Sequence, residues 1–212
     1  MKTILCYGDS NTWGFNPASD ERYPPEVRWT GVLKRALGEG YTVIEEGLNG
    51  RTTVWDDPVQ GVHRNGKTYL LPCLLSHQPL DLVILMLGTN DLKMRFSVSA
   101  RDIADSAGAL VDLIQLSRTG PRGSAPAVLL VAPPPTGRLS GYAEMFSEAG
   151  EKSCKFALYY RQVAELYGCA FLDAGECAVS SDLDGIHFEP EGHQNLGRAA
   201  ARIALQILQE VR

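Results

Sequence analysis

The chain has 212 residues, of which 44% are hydrophobic and 21% charged, and its formal net charge is -5. That balance belongs to a folded globular protein, and the length suits one domain, residues 1–212, with one sizeable core. No overall positive field exists to gather phosphate backbones or anionic lipid, so nucleic acid is excluded as an expected partner. No run of ~18 or more apolar residues offers a membrane span. The start, Met1-Lys2-Thr3-Ile4-Leu5-Cys6-Tyr7, is too short an apolar run for a signal peptide, and the expected location is the cytoplasm.

In chain order, residues 3–7 read as the first strand, which runs into Gly8-Asp9-Ser10-Asn11. Residues 29–37 read as a helix that Gly38 should stop. A second strand, 42–46, leads into Gly47-Leu48-Asn49-Gly50-Arg51-Thr52-Thr53, and a helix follows over roughly 69–77. The third strand, 82–87, is almost continuously apolar and ends at Gly88-Thr89-Asn90-Asp91. Ser99 is placed to cap a helix over 99–116, whose apolar stripe is Ile103, Ala107, Leu110 and Ile114 and whose stop is expected near Gly120. A fourth strand, 127–131, enters a stiff Pro133-Pro134-Pro135 loop. Helix is expected within 142–167 up to Gly168, then a fifth strand at 170–172 and the loop Asp184-Gly185-Ile186-His187. The last helix, 191–211, carries a stripe of Leu196, Ala200, Ile203, Ile207 and Val211.

Alternating strand and helix implies an α/β fold: a three-layer, doubly wound, flavodoxin-like sheet of five parallel strands with ligands at the carboxyl ends. Four polar loops therefore converge on one edge. Ser10, at a strand-to-helix turn, is the candidate nucleophile for an ester carbonyl. His187 is placed to take its proton and return it to the leaving alcohol, and Asp184, three residues earlier, to orient the imidazole. Each residue alone also has a structural reading: Ser10 as a helix cap, Asn90 as a turn residue, Asp184-Gly185 as a tight turn.

Together the loops resemble the four sequence blocks of the SGNH, or GDSL, hydrolases: the GDS serine, the second-block glycine, the GxND asparagine and the DxxH pair. The resemblance is closest to the arylesterase and acyltransferase branch, through Cys6 to Phe15, Val27 to Leu33, Val43 to Leu48, Met86 to Asp91 and Asp184 to Phe188; Asn11 departs from it, standing where the motif has Leu. It implies the SGNH hydrolase fold, hydrolysis of short acyl esters through an acyl-serine, with transfer to alcohols, and an oxyanion hole from the N–H groups of Ser10 and Gly50 and the amide of Asn90. Aryl and alkyl acetates are the expected small-molecule ester substrates, acetylated sugars the nearest variant, and thioesterase or lysophospholipase activity a further one. It also implies a homo-oligomer.

Trp13, Phe15, Phe146 and Ile186 flank these loops and read either as pocket lining or as core, with Trp13 equally open to both. Asp9 and Asp91 are expected to hold their loops by hydrogen bonds, and Arg51 to form a structural ion pair. His193 follows His187 by six residues without a third ligand at metal spacing, so it reads as a solvent-facing helix-start residue. His63 and His77 read as incidental. Neither metal nor cofactor is expected, and the five cysteines, an odd count without CxxC, read as buried or half-buried free thiols. The competing class is a noncatalytic phosphate or nucleotide module, although the loops lack GxGxxG and GxxxxGK[ST].

Overall fold

The computed structural model describes residues 1–210 and centres on one parallel sheet. Its strands are β1 (Lys2–Gly8), β2 (Tyr41–Gly47), β3 (Leu82–Met86), β4 (Ala127–Ala132) and β5 (Ala170–Asp173), arranged β2-β1-β3-β4-β5. The chain winds outward from β1 to β2, then crosses back to build β3, β4 and β5 on the other side. The winding therefore reverses between β1 and β3, where loops diverge and leave a crevice. Gly8 pairs with both Gly47 and Met86, so the first three strands end at one level and release their loops side by side.

Strand alternation divides the core between the two sheet faces. Leu5, Tyr7, Val83, Leu85, Val128 and Leu130 pack against α3 (Gly66–His77), α4 (Ala100–Leu116) and α6 (Phe156–Tyr167). Ile4, Cys6, Ile84, Met86, Leu129 and Val131 pack against α2 (Trp29–Leu37) and α7 (Pro190–Glu210). Both faces of β3 are buried, which accounts for its unbroken apolar run.

Ser99 caps α4 in a reciprocal box with Asp102, as expected from the sequence. Gly120, by contrast, does not stop that helix: α4 ends at Leu116, and Ser117 closes it by donating its hydroxyl to Ile114. The expected helix within 142–167 is two, α5 (Ala149–Ser153) and α6, with Gly168 ending the second in the left-handed region. In α7 the buried stripe runs through Leu196, Ala200, Ala201, Ala204 and Leu208, leaving Ile203 and Ile207 half-buried; Val211 lies outside the described residues. The helix packs so closely on α2 that a Cβ at Gly197 would meet Trp29 O at 2.6 Å.

Candidate active site

The last position of β1 needs glycine, because a Cβ at Gly8 would meet Met86 O at 2.8 Å and the Thr12 hydroxyl more closely still. Asp9 then caps the short helix α1 (Ser10–Trp13) by accepting the Asn11 N–H at 3.0 Å, which sets Ser10 at the first helical position above the strand end. Burial pushes the Asp9 carboxyl up to about 6. Ser10 is only 7% exposed, and it borders a cavity of about 160 Å³.

The other half of the relay comes from the loop before α7. Gly185, at φ 79°, allows a tight turn in which Ser181 accepts from Gly185 N and donates to His187 O, both at 2.7 Å. Asp184 Oδ1 accepts the N–H groups of Ile186 and His187 at 2.8 and 2.9 Å, while Oδ2 lies 2.5 Å from His187 Nδ1. Burial pushes the Asp184 carboxyl up, but these bonds outweigh it and hold the group below the usual carboxylate range. An ionised Asp184 can only accept, so Nδ1 carries the proton and Nε2 faces Ser10 Oγ, 2.9 Å away, with a free lone pair. Phe15 lies against the imidazole, ring centres 4.2 Å apart.

Asn11 joins the two loops. Its amide donates to Ile186 O at 3.2 Å and its carbonyl accepts Phe188 N–H at 3.1 Å, bracketing His187 on both sides. A leucine there can make neither bond, so the departure from the family motif has a positioning consequence.

Gly50 and Asn90 border the same cavity. Gly50 stands at φ 78°, and a Cβ there would meet Gln60 Oε1 at 2.5 Å, so this glycine is required by backbone conformation as well as by close approach. The Asn90 amide donates to Arg51 O at 3.2 Å, and Asp91 behind it accepts from Thr53 N and its hydroxyl. Burial pushes Asp91, like Asp9, up to about 6. Among the described residues Arg51 makes no ion pair: it donates to the carbonyls of Gly8 and Glu46 and lies over the Tyr7 ring at 4.1 Å. Those carbonyls belong to the last residue of β1 and the last but one of β2, so the guanidinium ties two strand ends together.

The lining brings together Ser10, His187, Gly50, Asn90, Phe146 and Ile186, and adds Phe15, Asn49, Gln60, Lys93, Tyr142 and Met145. Trp13 is not among them. It is half-buried at the end of α1, with Arg22 stacked over its ring at 5.2 Å. Tyr142 and Met145 share a loop with Phe146, but nothing in the sequence singled them out. Lys93 gives no signal either, since a lone lysine after a polar turn reads as a surface residue.

His193 does not face solvent. It is 0% exposed, accepts Trp29 N–H on Nδ1 at 3.2 Å, and is enclosed by Tyr23 and Phe188, so burial pulls it down to about 3. Cys154 is exposed rather than buried, while Cys6 and Cys73 are buried and Cys169 and Cys177 half-buried. Glu46, Cys73 and His77 present ligand atoms within 4.8 Å of one another on β2 and α3. There His77 Nε2 pairs with Glu46 Oε1 at 2.9 Å and burial pushes the Cys73 thiol up to about 12.

A serine, an imidazole and a carboxylate in hydrogen-bond sequence at the carboxyl edge of a parallel sheet define a serine hydrolase arrangement. The chain belongs to the GDSL-like lipase/acylhydrolase family, whose model matches residues 6–194, and it is a carboxylic ester hydrolase. Among solved structures it is similar to Est24, a carbohydrate acetylesterase from Sinorhizobium meliloti, at 42% identity and TM-score 0.94, over 98% of this chain and 100% of that one. It is equally similar to an aryl esterase of M. smegmatis, at 42% identity and TM-score 0.93 over the same shares. A carbohydrate acetylesterase family member from Sinorhizobium meliloti matches at 38% identity and TM-score 0.94, over 99% and 100%. No curated protein matches the sequence. These likenesses do not favour the noncatalytic binding module.

Proposed function

We propose that this chain hydrolyses short-chain esters, aryl and alkyl acetates and acetylated carbohydrates, through an acyl intermediate on Ser10. The observation that carries the reading is the continuous relay from Ser10 Oγ through His187 to Asp184 beside a small cavity. His187 Nε2 takes the hydroxyl proton as Oγ attacks the ester carbonyl. Asp184 steadies the imidazolium, and the N–H groups of Ser10 and Gly50 with the Asn90 amide receive the oxyanion. The proton then passes from His187 to the leaving alcohol, and water activated by the same nitrogen releases the acid. An alcohol in place of that water receives the acyl group instead.

A cavity of about 160 Å³ is below the ~300 Å³ at which ligand pockets commonly begin, which favours acetyl over long acyl chains. The carbohydrate acetylesterase and aryl esterase likenesses support the same two substrate groups. No described helix is long and apolar enough to cross a membrane, and we place the protein in the cytoplasm. Leu71 and Leu75, one turn apart on α3, are exposed and support a homo-oligomer.

The test is labelling by a fluorophosphonate together with turnover of p-nitrophenyl acetate, with and without added alcohol. Wild type should label and turn over, and Ser10→Ala should do neither while its circular dichroism is unchanged. Labelling that persists at another residue in Ser10→Ala refutes the assignment.

A further inference from the structure

The cavity has two unlike walls. Phe15, Tyr142, Met145, Phe146 and Ile186 form an apolar side, and Asn49, Gln60 and Lys93 a polar one. Lys93 is the unexpected member, only 4% exposed, because burying an ammonium is costly unless its donors are met. Of its three N–H donors one reaches Gln60 Oε1 at 3.1 Å. The nearest carboxylate oxygen, Asp57 Oδ2, is 3.8 Å away, beyond hydrogen-bond length, and Arg95 Nη2 is closer to it at 3.1 Å. The other oxygen of Asp57 accepts the N–H groups of Val59 and Gln60, at 2.8 and 2.9 Å.

The charged groups facing Lys93 are Arg64 and Arg95 on one side of the balance and Asp57 and Asp91 on the other. Counting Lys93, three cations meet two carboxylates, so positive charge is left over at this wall. Burial pulls Lys93 down to about 8, with Arg95 acting in the same direction and Asp57 against it, so the group is still mostly charged at neutral pH. The Ser10 relay is complete without it.

We propose that Lys93 is a specificity-determining residue that receives a carboxylate carried by the substrate, so that the favoured ester is anionic as well as short. The inference rests on the esterase reading and names a substrate class within it. Gln60 Oε1, which holds the ammonium, occupies the space beside Gly50, so the charge stands next to the oxyanion loop. A carboxylate there gains a charge-assisted bond to an ammonium that is itself nearly buried. It can come from the alcohol part, as in an acetylated sugar acid, or from the acyl part, as in the half-ester of a dicarboxylic acid.

Two substrate pairs separate these sources. 4-Carboxyphenyl acetate against 4-methylphenyl acetate places the charge on the alcohol side, and p-nitrophenyl hemisuccinate against p-nitrophenyl pentanoate places it on the acyl side. In Lys93→Met the ratio of kcat/KM, charged over neutral, should fall about tenfold or more in one pair, mainly through KM. A ratio that moves less than about twofold in both pairs overturns the proposal. If wild type turns over no ester of either kind, the esterase reading itself fails and takes the inference with it. Should Lys93→Met not fold, inhibition of wild type by benzoate against benzamide decides. Benzoate should weaken from about pH 7 to about pH 9, as the ammonium is lost, and benzamide should not; parallel behaviour of the two overturns it.

Discussion

Asp184→Asn tests the relay at its most constrained point. In the native structure Asp184 serves three donors, the N–H groups of Ile186 and His187 on Oδ1 and the imidazole Nδ1 on Oδ2. Asparagine keeps one acceptor oxygen for the two backbone groups, so the turn should persist. Its NH₂ then faces Nδ1, which must accept, and the ring proton moves to Nε2, where it points at Ser10 Oγ 2.9 Å away. That tautomer cannot take the serine proton. Restoring the productive one sets an amide N–H against an imidazole N–H, two buried donors without acceptors at about 1–3 kcal/mol each. The total of about 2–6 kcal/mol corresponds to a loss of ~30-fold to ~10⁴ in kcat, and a protease triad, a different protein, loses ~10⁴ by the same change. The assay is p-nitrophenyl acetate turnover across pH, alongside thermal melting. The variant should melt nearly as wild type does while losing rate at every pH. A near-normal rate in a folded variant would show that Asp184 does not orient the imidazole.

Asn90→Ala should lower kcat by ~10² to 10³ with little change in KM, because an oxyanion donor acts mainly on the transition state; a pure KM effect would make Asn90 a substrate-positioning residue. His193 should make stability pH-dependent. Burial pulls its native value down to about 3, against ~6.5 for an unfolded histidine, so the unfolded chain binds more protons between the two. Its contribution is present above ~6.5 and is lost as pH falls toward 3. Asp9 and Asp91, raised by burial to about 6, act in the opposite sense, their contribution being lost as pH rises through 6. Comparing urea midpoints of wild type and His193→Asn isolates the histidine: the wild-type advantage should shrink from pH 7 to pH 4, and a constant difference would refute it.

Much of the fold was legible because strand and helix patterns are local. An unbroken apolar run at β3 reports burial on both faces, and Ile103, Ala107, Leu110 and Ile114 report a helix with one buried stripe. Ser10, Asn90, Asp184 and His187 were nameable because each follows a strand in a short polar block, and parallel strands release their loops at one edge. The same locality explains the misses. Trp13 sits three residues from Ser10, yet its ring is taken up by Arg22, and His193 has the polar neighbours of a surface residue but is enclosed by Trp29, Tyr23 and Phe188 from other elements.

The sequence by itself therefore determined the order of the elements, the parallel sheet and the residue types of the relay, since these follow from periodicity and from chemistry carried in short blocks. Only the tertiary structure decided that Asn11 brackets His187, that Arg51 ties strand ends together, and that Lys93 is buried at the cavity wall. Those roles depend on neighbours up to 177 residues away, as between Asn11 and Phe188. A side chain's burial, partners and charge environment are properties of the packed assembly of elements, which no local pattern encodes.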